Sequence, residues 1–316
     1  MQLINPLDPA AVSLPKAASV VTIGTFDGVH AGHRALLWDV VERVESGERS
    51  VVVTFRPHPV EVIAPEHAPY LLSSYEDKSA LLEDCGVDVC AEVPFDSDFR
   101  EWSAERFVIE LLVERLGARH IVAGPDLRFG KGAAGDFALL QEMGPAHGFS
   151  VSQALSFEMD AEVVSSTRIR AQVGTGNMHE ARRLLTRPHR LRGVVVTGHQ
   201  RGRQIGFPTA NLECGRAAIP CDGIYACEAT LESGERFGAA VSIGTRPTFG
   251  VNSRAVEAYL LDFKRDIYGE VVALDFLEHL RGEEVYDSVA ALIAQIERDV
   301  EATRRVLAQE VTGLRP

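Results

Sequence analysis

Apolar residues in the first half of the chain fall into short β-branched runs separated by stretches of helical period. "VVTIG", "VVVTF", "VDVCAEVPF" and "HIVAG" read as strands; "RALLWDVVERV", "DKSALLEDCG", "AERFVIELLVERLG" and "DFALLQEMGPAHG" read as helices. Their alternation predicts an α/β unit with right-handed crossovers and a parallel sheet covered on both faces. Ligands of such sheets bind at the carboxyl ends of the strands. After residue 185 the pattern changes to "LRGVVVTG", "GIYACEATL", "RFGAAVSIG", "VEAYLLDF" and "EVVALDFLEHL", strand-like runs joined by turns. With no helix between them they predict an antiparallel sheet or small barrel. The tail "DSVAALIAQIERDVEATRRVLAQE" has apolar residues at helical spacing and predicts one amphipathic helix capped by Asp287 or Ser288. The boundary falls near "LLTRPHRL", giving domains 1–186 and 187–316. No internal repeat is visible.

Composition narrows the class. The chain has 316 residues, of which 46% are hydrophobic and 24% charged, as in a soluble globular protein of two domains. No apolar run approaches the roughly 20 residues that span a bilayer, and the first residues do not read as a secretory signal, so a cytoplasmic location without membrane partners is expected. Five cysteines without a C-x-x-C pair read as reduced thiols. A net charge of −13 removes the basic footprint of a nucleic-acid binder. Yet nine arginines and one acid, Glu180, lie between Arg168 and Arg203. That segregation fits small anionic ligands or a solvated basic face equally. Self-association is left open.

Candidate chemistry begins with "GTFDGVHAGH" (24–33), which follows the first long strand and opens a helix. Gly24, Gly28 and Gly32 loosen the backbone, and a helix start offers unpaired N–H groups and a positive dipole end. His30 and His33, three apart, can come to lie on one side with their N–H groups toward phosphate oxygens. A metal pair and ordinary capping histidines are the other readings. "GPDLRFGKGAAGD" (124–136) follows the "HIVAG" strand and opens on the same edge, either as a binding loop or as a plain glycine loop. "SSTRIR" (165–170) begins a further helix, with hydroxyls to cap it and Arg168 as a bidentate phosphate partner.

In the second half, Pro208 in "GRQIGFPTANL" (202–212) marks an edge or turn. Thr209 and Asn211, two apart on an extended segment, point to one side. Their uncharged oxygens suit Mg²⁺ whose shell is completed by nucleotide phosphates, although a turn with a satisfied Asn is also compatible. Glu257 shares a face of its strand with Tyr259, Leu261 and Phe263, while Val256, Ala258 and Leu260 make the other face apolar. Neither side offers it obvious water, a setting for a general base that takes a proton from a hydroxyl. An edge-strand glutamate with its head in solvent is the alternative.

"GTFDGVHAGH", "TFRPHP", "GPDLRFG" and "SSTRIR", in that order, resemble the nucleotidyltransferase module of the prokaryotic bifunctional riboflavin kinase/FAD synthetase family. "GFPTANL", "IPCDGIYA", "SIGTRPTFG", "VEAYLLDFKRDIYGE" and the tail resemble its riboflavin kinase module, so that the likeness runs from about Val20 to about Leu307. The resemblance implies a Rossmann-like nucleotidyltransferase domain followed by a small antiparallel β-barrel with a C-terminal helix. It implies two reactions: riboflavin plus ATP gives FMN and ADP in the barrel, and FMN plus ATP gives FAD and pyrophosphate in the first domain. By that resemblance His30, His33 and Arg168 are catalytic, Gly24, Phe26, Gly28, Asp126 and Ser166 join them around ATP, and Thr54, Phe55, Pro57, His58 and Pro59 lie beside the flavin. In the barrel Gly206, Pro208, Thr209 and Asn211 take ATP, with Mg²⁺ on Thr209 and Asn211, and Glu257 activates the riboflavin hydroxyl. "GHQRGRQIGF" would form a flap over the nucleotide. Thr25, Pro125, Leu127 and Arg246 depart from the family's usual residues. A kinase with a degenerate first domain and a non-catalytic flavin-binding protein are the competing readings.

Overall fold

A computed structural model describes residues 1–8, 17–198, 202, 205–245 and 254–313. Half of the expected flap (199–201, 203 and 204) and residues 246–249 of "GTRPTF" lie outside the described residues. The chain folds as two units: Met1–Pro69 with Tyr75–Ser165, and Tyr70–Ser74 with Ser166–Pro316.

In the first unit the elements run β1 Gln2–Ile4, β2 Ser19–Ile23, α1 Ala31–Glu42, β3 Arg49–Arg56, α2 Pro59–Ile63, α3 Tyr75–Asp84, β4 Val89–Pro94, α4 Ser97–Arg100 and α5 Ala104–Arg106. The last continues as a π-type helix, Phe107–Arg115. β5 Ala118–Ala123, α6 Phe137–His147, β6 Ser150–Gln153 and the short pair β7 Glu158–Met159 and β8 Glu162–Val163 follow. The main sheet has the order β1-β4-β3-β2-β5-β6 and is parallel throughout. All five residues of β2 are buried, as expected of a strand covered on both faces. Its two hydroxyls are satisfied: Ser19 donates to the Leu116 carbonyl at 2.6 Å and Thr22 to the Val122 carbonyl at 2.8 Å. Strand order reverses between β2 and β5, so the loops leaving these strands, 24–30 and 124–130, flank the switch point where such sheets bind ligands.

The second unit opens with α7 Ser166–Gly174 and α8 Met178–Leu185. β9 His189–Val196, β10 Ala210–Glu213, β11 Gly223–Leu231, β12 Arg236–Thr245, β13 Arg254–Leu260 and β14 Val271–Arg281 close into an antiparallel barrel in the order β10-β13-β12-β11-β14-β9. Closure leaves no free edge. Inward residues such as Tyr225, Val241, Ile243, Ala258, Leu274 and Phe276 are fully buried. α9, Val289–Gly313, is the expected C-terminal helix. Ser288 caps it, accepting from the Ala291 N–H at 3.2 Å. A two-pronged ion pair fixes it to the barrel: Arg281 donates to Asp299 at 3.0 and 2.7 Å. The segment 70–74 is stitched to this unit, with the Leu71 N–H donating to the Arg216 carbonyl at 2.8 Å.

His189 is enclosed at the start of β9, its Nε2 donating to the Ala218 carbonyl at 2.8 Å. Burial holds its imidazole down at about 4, against an ordinary 6.5. Because the folded value lies below the unfolded one, acid favours the unfolded chain. The stabilisation is complete above pH 6.5 and is lost as pH falls from there through about 4. The second unit therefore loses about 3 kcal/mol through this residue on acidification. Denaturant unfolding at pH 7 and pH 4 checks it: His189→Gln shows a shallower pH slope than the natural chain, and an unchanged slope overturns the assignment.

Candidate active sites

The loop after β2 is strained and tightly held. Phe26 and Val29 adopt φ of 50° and 38°, a region that costs a non-glycine residue about 1–3 kcal/mol. Both are fully buried, so apolar packing pins the conformation. His30 then caps α1, its Nδ1 accepting from the His33 N–H at 3.3 Å. That acceptor role puts the proton of the neutral ring on Nε2. The His33 ring stacks on His30 at 3.6 Å and 17°, with Phe26 against it at 5.2 Å. The three-residue spacing thus brings the two imidazoles together. Stacked rings do not converge on one ion, and among the described residues no group of three or more His, Cys, Asp or Glu side chains could hold a metal.

His33 Nδ1 is enclosed without a hydrogen-bond partner among the described residues. Burial first, then the neighbouring His30 and Lys78, hold this imidazole well below the usual histidine range. The neutral ring is a hydrogen-bond donor that carries no charge of its own.

Thr54, at the carboxyl end of β3, is buried and donates to the Thr25 carbonyl at 3.1 Å. Phe55 is half-buried and Pro57 exposed. His58 caps α2 by a capping box, accepting from the Val60 N–H at 3.3 Å while its own N–H donates to Glu61, with Pro59 in the first turn. Asp126 is exposed on the loop after β5. That loop is anchored at Gly130, with φ of 74°, where a side chain would strike the Ala104 backbone.

Lys78 was not anticipated as a site residue. It is 5% exposed and donates to Thr54 Oγ1 at 3.0 Å and to the Thr25 carbonyl at 3.3 Å. The sequence does carry a signal: Lys78 shares the helical stripe of Leu81, Leu82 and Cys85, where α3 turns inward.

Ser166 and Arg168 lie on α7, in the second unit. Arg168 donates to Glu180 at 3.1 Å, and Glu180 also receives Arg183 at 2.8 Å. Arg182 pairs with Glu310 at 2.5 Å and Arg190 with Asp275 at 2.8 Å. Much of the arginine-rich segment is therefore neutralised inside the unit, which the single acid within the segment concealed.

In the barrel, Asn211 stands opposite Glu257 in the β10–β13 register, and Ser242 stands opposite it on β12. Thr209 Oγ1 donates to Glu257 Oε2 at 3.2 Å. Thr209, Asn211 and Glu257 share one face, while Val256, Ala258 and Leu260 fill the interior. Glu257 is half-buried, not sealed as its apolar flanks suggested, because its face of the strand is the outer one. Asn211 is buried, and Gly198 passes so close that any side chain there would overlap the Asn211 amide. Gly206, with φ of 90°, and Pro208 are exposed on the approach to β10, and Phe207 packs edge-on against Tyr259 at 5.3 Å. A cavity of about 280 Å³ adjoins Thr209, lined also by Val195, Leu260, Lys264 and Tyr268. The last two lie in the "DFKRDIYGE" stretch, whose aromatic and basic alternation was the available clue. Thr209 and Asn211 supply hard, uncharged oxygens beside a carboxylate, a donor set that fits Mg²⁺.

A family model described as FAD synthetase matches residues 13–168, and one described as riboflavin kinase matches residues 185–307. The bifunctional riboflavin kinase/FMN adenylyltransferase of Escherichia coli (strain K12) is 39% identical over 302 residues, 95% of each chain. That of Haemophilus influenzae is 37% identical over 305 residues, 96% of this chain and 98% of its own. A crystal structure described as a macrolide-efflux protein from Streptococcus pneumoniae superposes with a TM-score of 0.83 at 31% identity, covering 96% of this chain and 99% of that one. Among the described residues no helix is long and apolar enough to cross a membrane.

The geometry at His33 makes one expectation independent of any ligand. In a ¹³C-resolved titration of the free protein, the His33 Cε1–H resonance shows no step near pH 6.5, the ordinary histidine value. A midpoint at or above that value contradicts the enclosure described.

Proposed function

The chain belongs to the bifunctional riboflavin kinase/FMN adenylyltransferase family, and we propose that its two activities use separate sets of residues. The single observation that carries the reading is that each unit assembles its own polar cluster: stacked His30 and His33 in one, Thr209, Asn211 and Glu257 in the other. We take 1–186 as the adenylyltransferase domain and 187–316 as the kinase domain, so that Ser166 and Arg168 of α7 belong to the former function. Small-molecule substrates, a cytoplasmic location and the absence of nucleic-acid or membrane partners belong to the same reading, which leaves self-association open.

Riboflavin enters with an unionised hydroxyl that must lose a proton as it attacks the γ-phosphorus of ATP and displaces ADP. Glu257 takes that proton. The Thr209 hydroxyl holds the Glu257 carboxylate in place, and Thr209 and Asn211 hold the cation. Mg²⁺, when bound, screens the phosphate oxygens against one another. Lys264 and Tyr268 supply a charge and an aromatic surface to the adjoining cavity.

FMN needs no such base, because its phosphate is already anionic. It attacks the α-phosphorus of the second ATP and pyrophosphate departs. His30 and His33 donate to the phosphate oxygens at the start of α1, and Gly24, Phe26, Gly28, Asp126, Ser166 and Arg168 complete the nucleotide site. Thr54, Phe55, Pro57, His58 and Pro59 lie along the flavin. Catalysis is alignment plus stabilisation of the charge that grows on the oxygens.

Purified protein given riboflavin, ATP and Mg²⁺ forms both FMN and FAD, separated chromatographically. Glu257→Gln lowers FMN formation about 10²- to 10⁴-fold yet leaves supplied FMN converted to FAD. His33→Ala lowers FAD formation about 10²-fold or more, so that FMN accumulates. A Glu257→Gln protein equally impaired in both steps defeats the assignment of separate sites.

A further inference from the structure

We propose that Lys78 is a positioning residue of the adenylyltransferase site: its buried ammonium ties the loop after β2 to β3 and supplies a fixed positive charge behind the His30–His33 pair. The inference rests on the reading of the first unit as that site. Lysine is among the residues least often enclosed, since its charge loses solvation unless something replaces water. A side chain with 5% exposure at the ligand-binding edge of the sheet therefore calls for a reason beyond packing.

Its contacts give one. Thr25 O accepts from both Lys78 and Thr54, while Thr54 Oγ1 accepts from Lys78, a closed triangle with edges of 3.3, 3.1 and 3.0 Å. Thr25 immediately precedes Phe26, so the triangle fixes the entry to the strained loop whose exit places His30. The groups that face the ammonium are Asp27 in the loop, Arg56 on β3, Cys90 and Glu92 on β4, and His33 on α1. Tyr75, one turn earlier on α3, presents its ring 5.1 Å away. Burial above all, and Arg56, hold the Lys78 ammonium below the ordinary lysine range, while Glu92 and Asp27 favour the charged form. The Cys90 thiol is pushed up to about 12 by burial and adds no charge at neutral pH.

A buried cation at this point does two things for a reaction that accumulates negative charge on phosphate oxygens. It contributes a favourable field without moving, and it adds to the burial and the His30 contact that keep the His33 imidazole neutral, able to donate without bringing in a competing proton. Lys78 itself touches no reacting atom. It acts through His33 and the loop.

The test uses the full chain and compares Lys78→Met with Lys78→Arg. In the Met protein kcat for FMN adenylylation falls about 10- to 100-fold, with much smaller changes in KM for FMN and ATP. Loss of the like charge raises the midpoint of His33 in the ¹³C-resolved titration, a readout that simple packing does not move. The Arg protein keeps the His33 midpoint of the natural chain and recovers most of kcat. Riboflavin phosphorylation by the same preparations is unchanged. Should the Met protein lose the amide dispersion of the first unit, Lys78→Gln, which keeps a donor without the charge, takes its place under the same expectations. A folded, uncharged variant with natural kcat and natural His33 titration overturns the inference. Absence of adenylylation in the natural chain overturns instead the reading on which it rests.

Discussion

Phe26 and Val29 hold left-handed backbone angles that neither side chain favours, and both are buried to 1% exposure or less. Apolar burial of two such side chains contributes about 1.5–3 kcal/mol each, enough to offset strain of about 1–3 kcal/mol at each residue. The loop cannot relax without exposing them. His30 is therefore placed by hydrophobic packing on its amino-terminal side and by the first turn of α1 on its carboxyl side. The stacking of His33 on His30 follows from that placement and from helical geometry, with no further contact needed to align the rings. On the proposed assignment, rigid placement of this kind suits a site whose work is to hold two phosphate-bearing molecules in line.

The barrel solves the same problem by alternation. Once Val256, Ala258 and Leu260 are committed to the interior, the two-residue period turns Glu257 outward, and register with β10 puts Asn211 directly across from it. A one-residue slip would bury Glu257 and expose its neighbours, so the core that stabilises the barrel also enforces the pairing. The Thr209–Glu257 hydrogen bond then sets the carboxylate within a face already chosen.

These two devices differ in how far the sequence discloses them. Strong apolar runs announce β2, β3, β4 and β5, and the shift of pattern after residue 185 announces the barrel. β1 and β6 leave almost no trace, because "QLI" and "SVSQ" are short edge strands with a single buried position between them. β10 is four residues long and directly follows a proline-containing approach, so "PTANL" reads as a turn until its partners are seen. The spacing of His30 and His33 was legible since helix geometry alone unites them. Lys78 was not singled out, because lysine on a helix ordinarily lies on the solvent face and only its phase against Leu81, Leu82 and Cys85 says otherwise. The arginine-rich segment misleads in the opposite direction: its neutralising acids, Asp275 and Glu310, lie far along the chain and reach it only through folding.

The chemistry distributed over the two units follows from the state in which each nucleophile arrives. A ribityl hydroxyl is neutral, and an acceptor for its proton has to be built into the protein; on the proposed assignment the half-buried Glu257 carboxylate, held by the Thr209 hydroxyl, is that acceptor. A phosphate monoester brings its own negative charge, and a carboxylate facing it would repel it. On the proposed assignment the first unit accordingly uses imidazoles, a helix start and an enclosed ammonium at its binding edge. On the proposed assignment the carboxylates near that ammonium, Glu92 and Asp27, offset part of the cost of burying it. The same vitamin, once phosphorylated, has exchanged the need for a base for the need for positive potential, and the two units differ in just that respect.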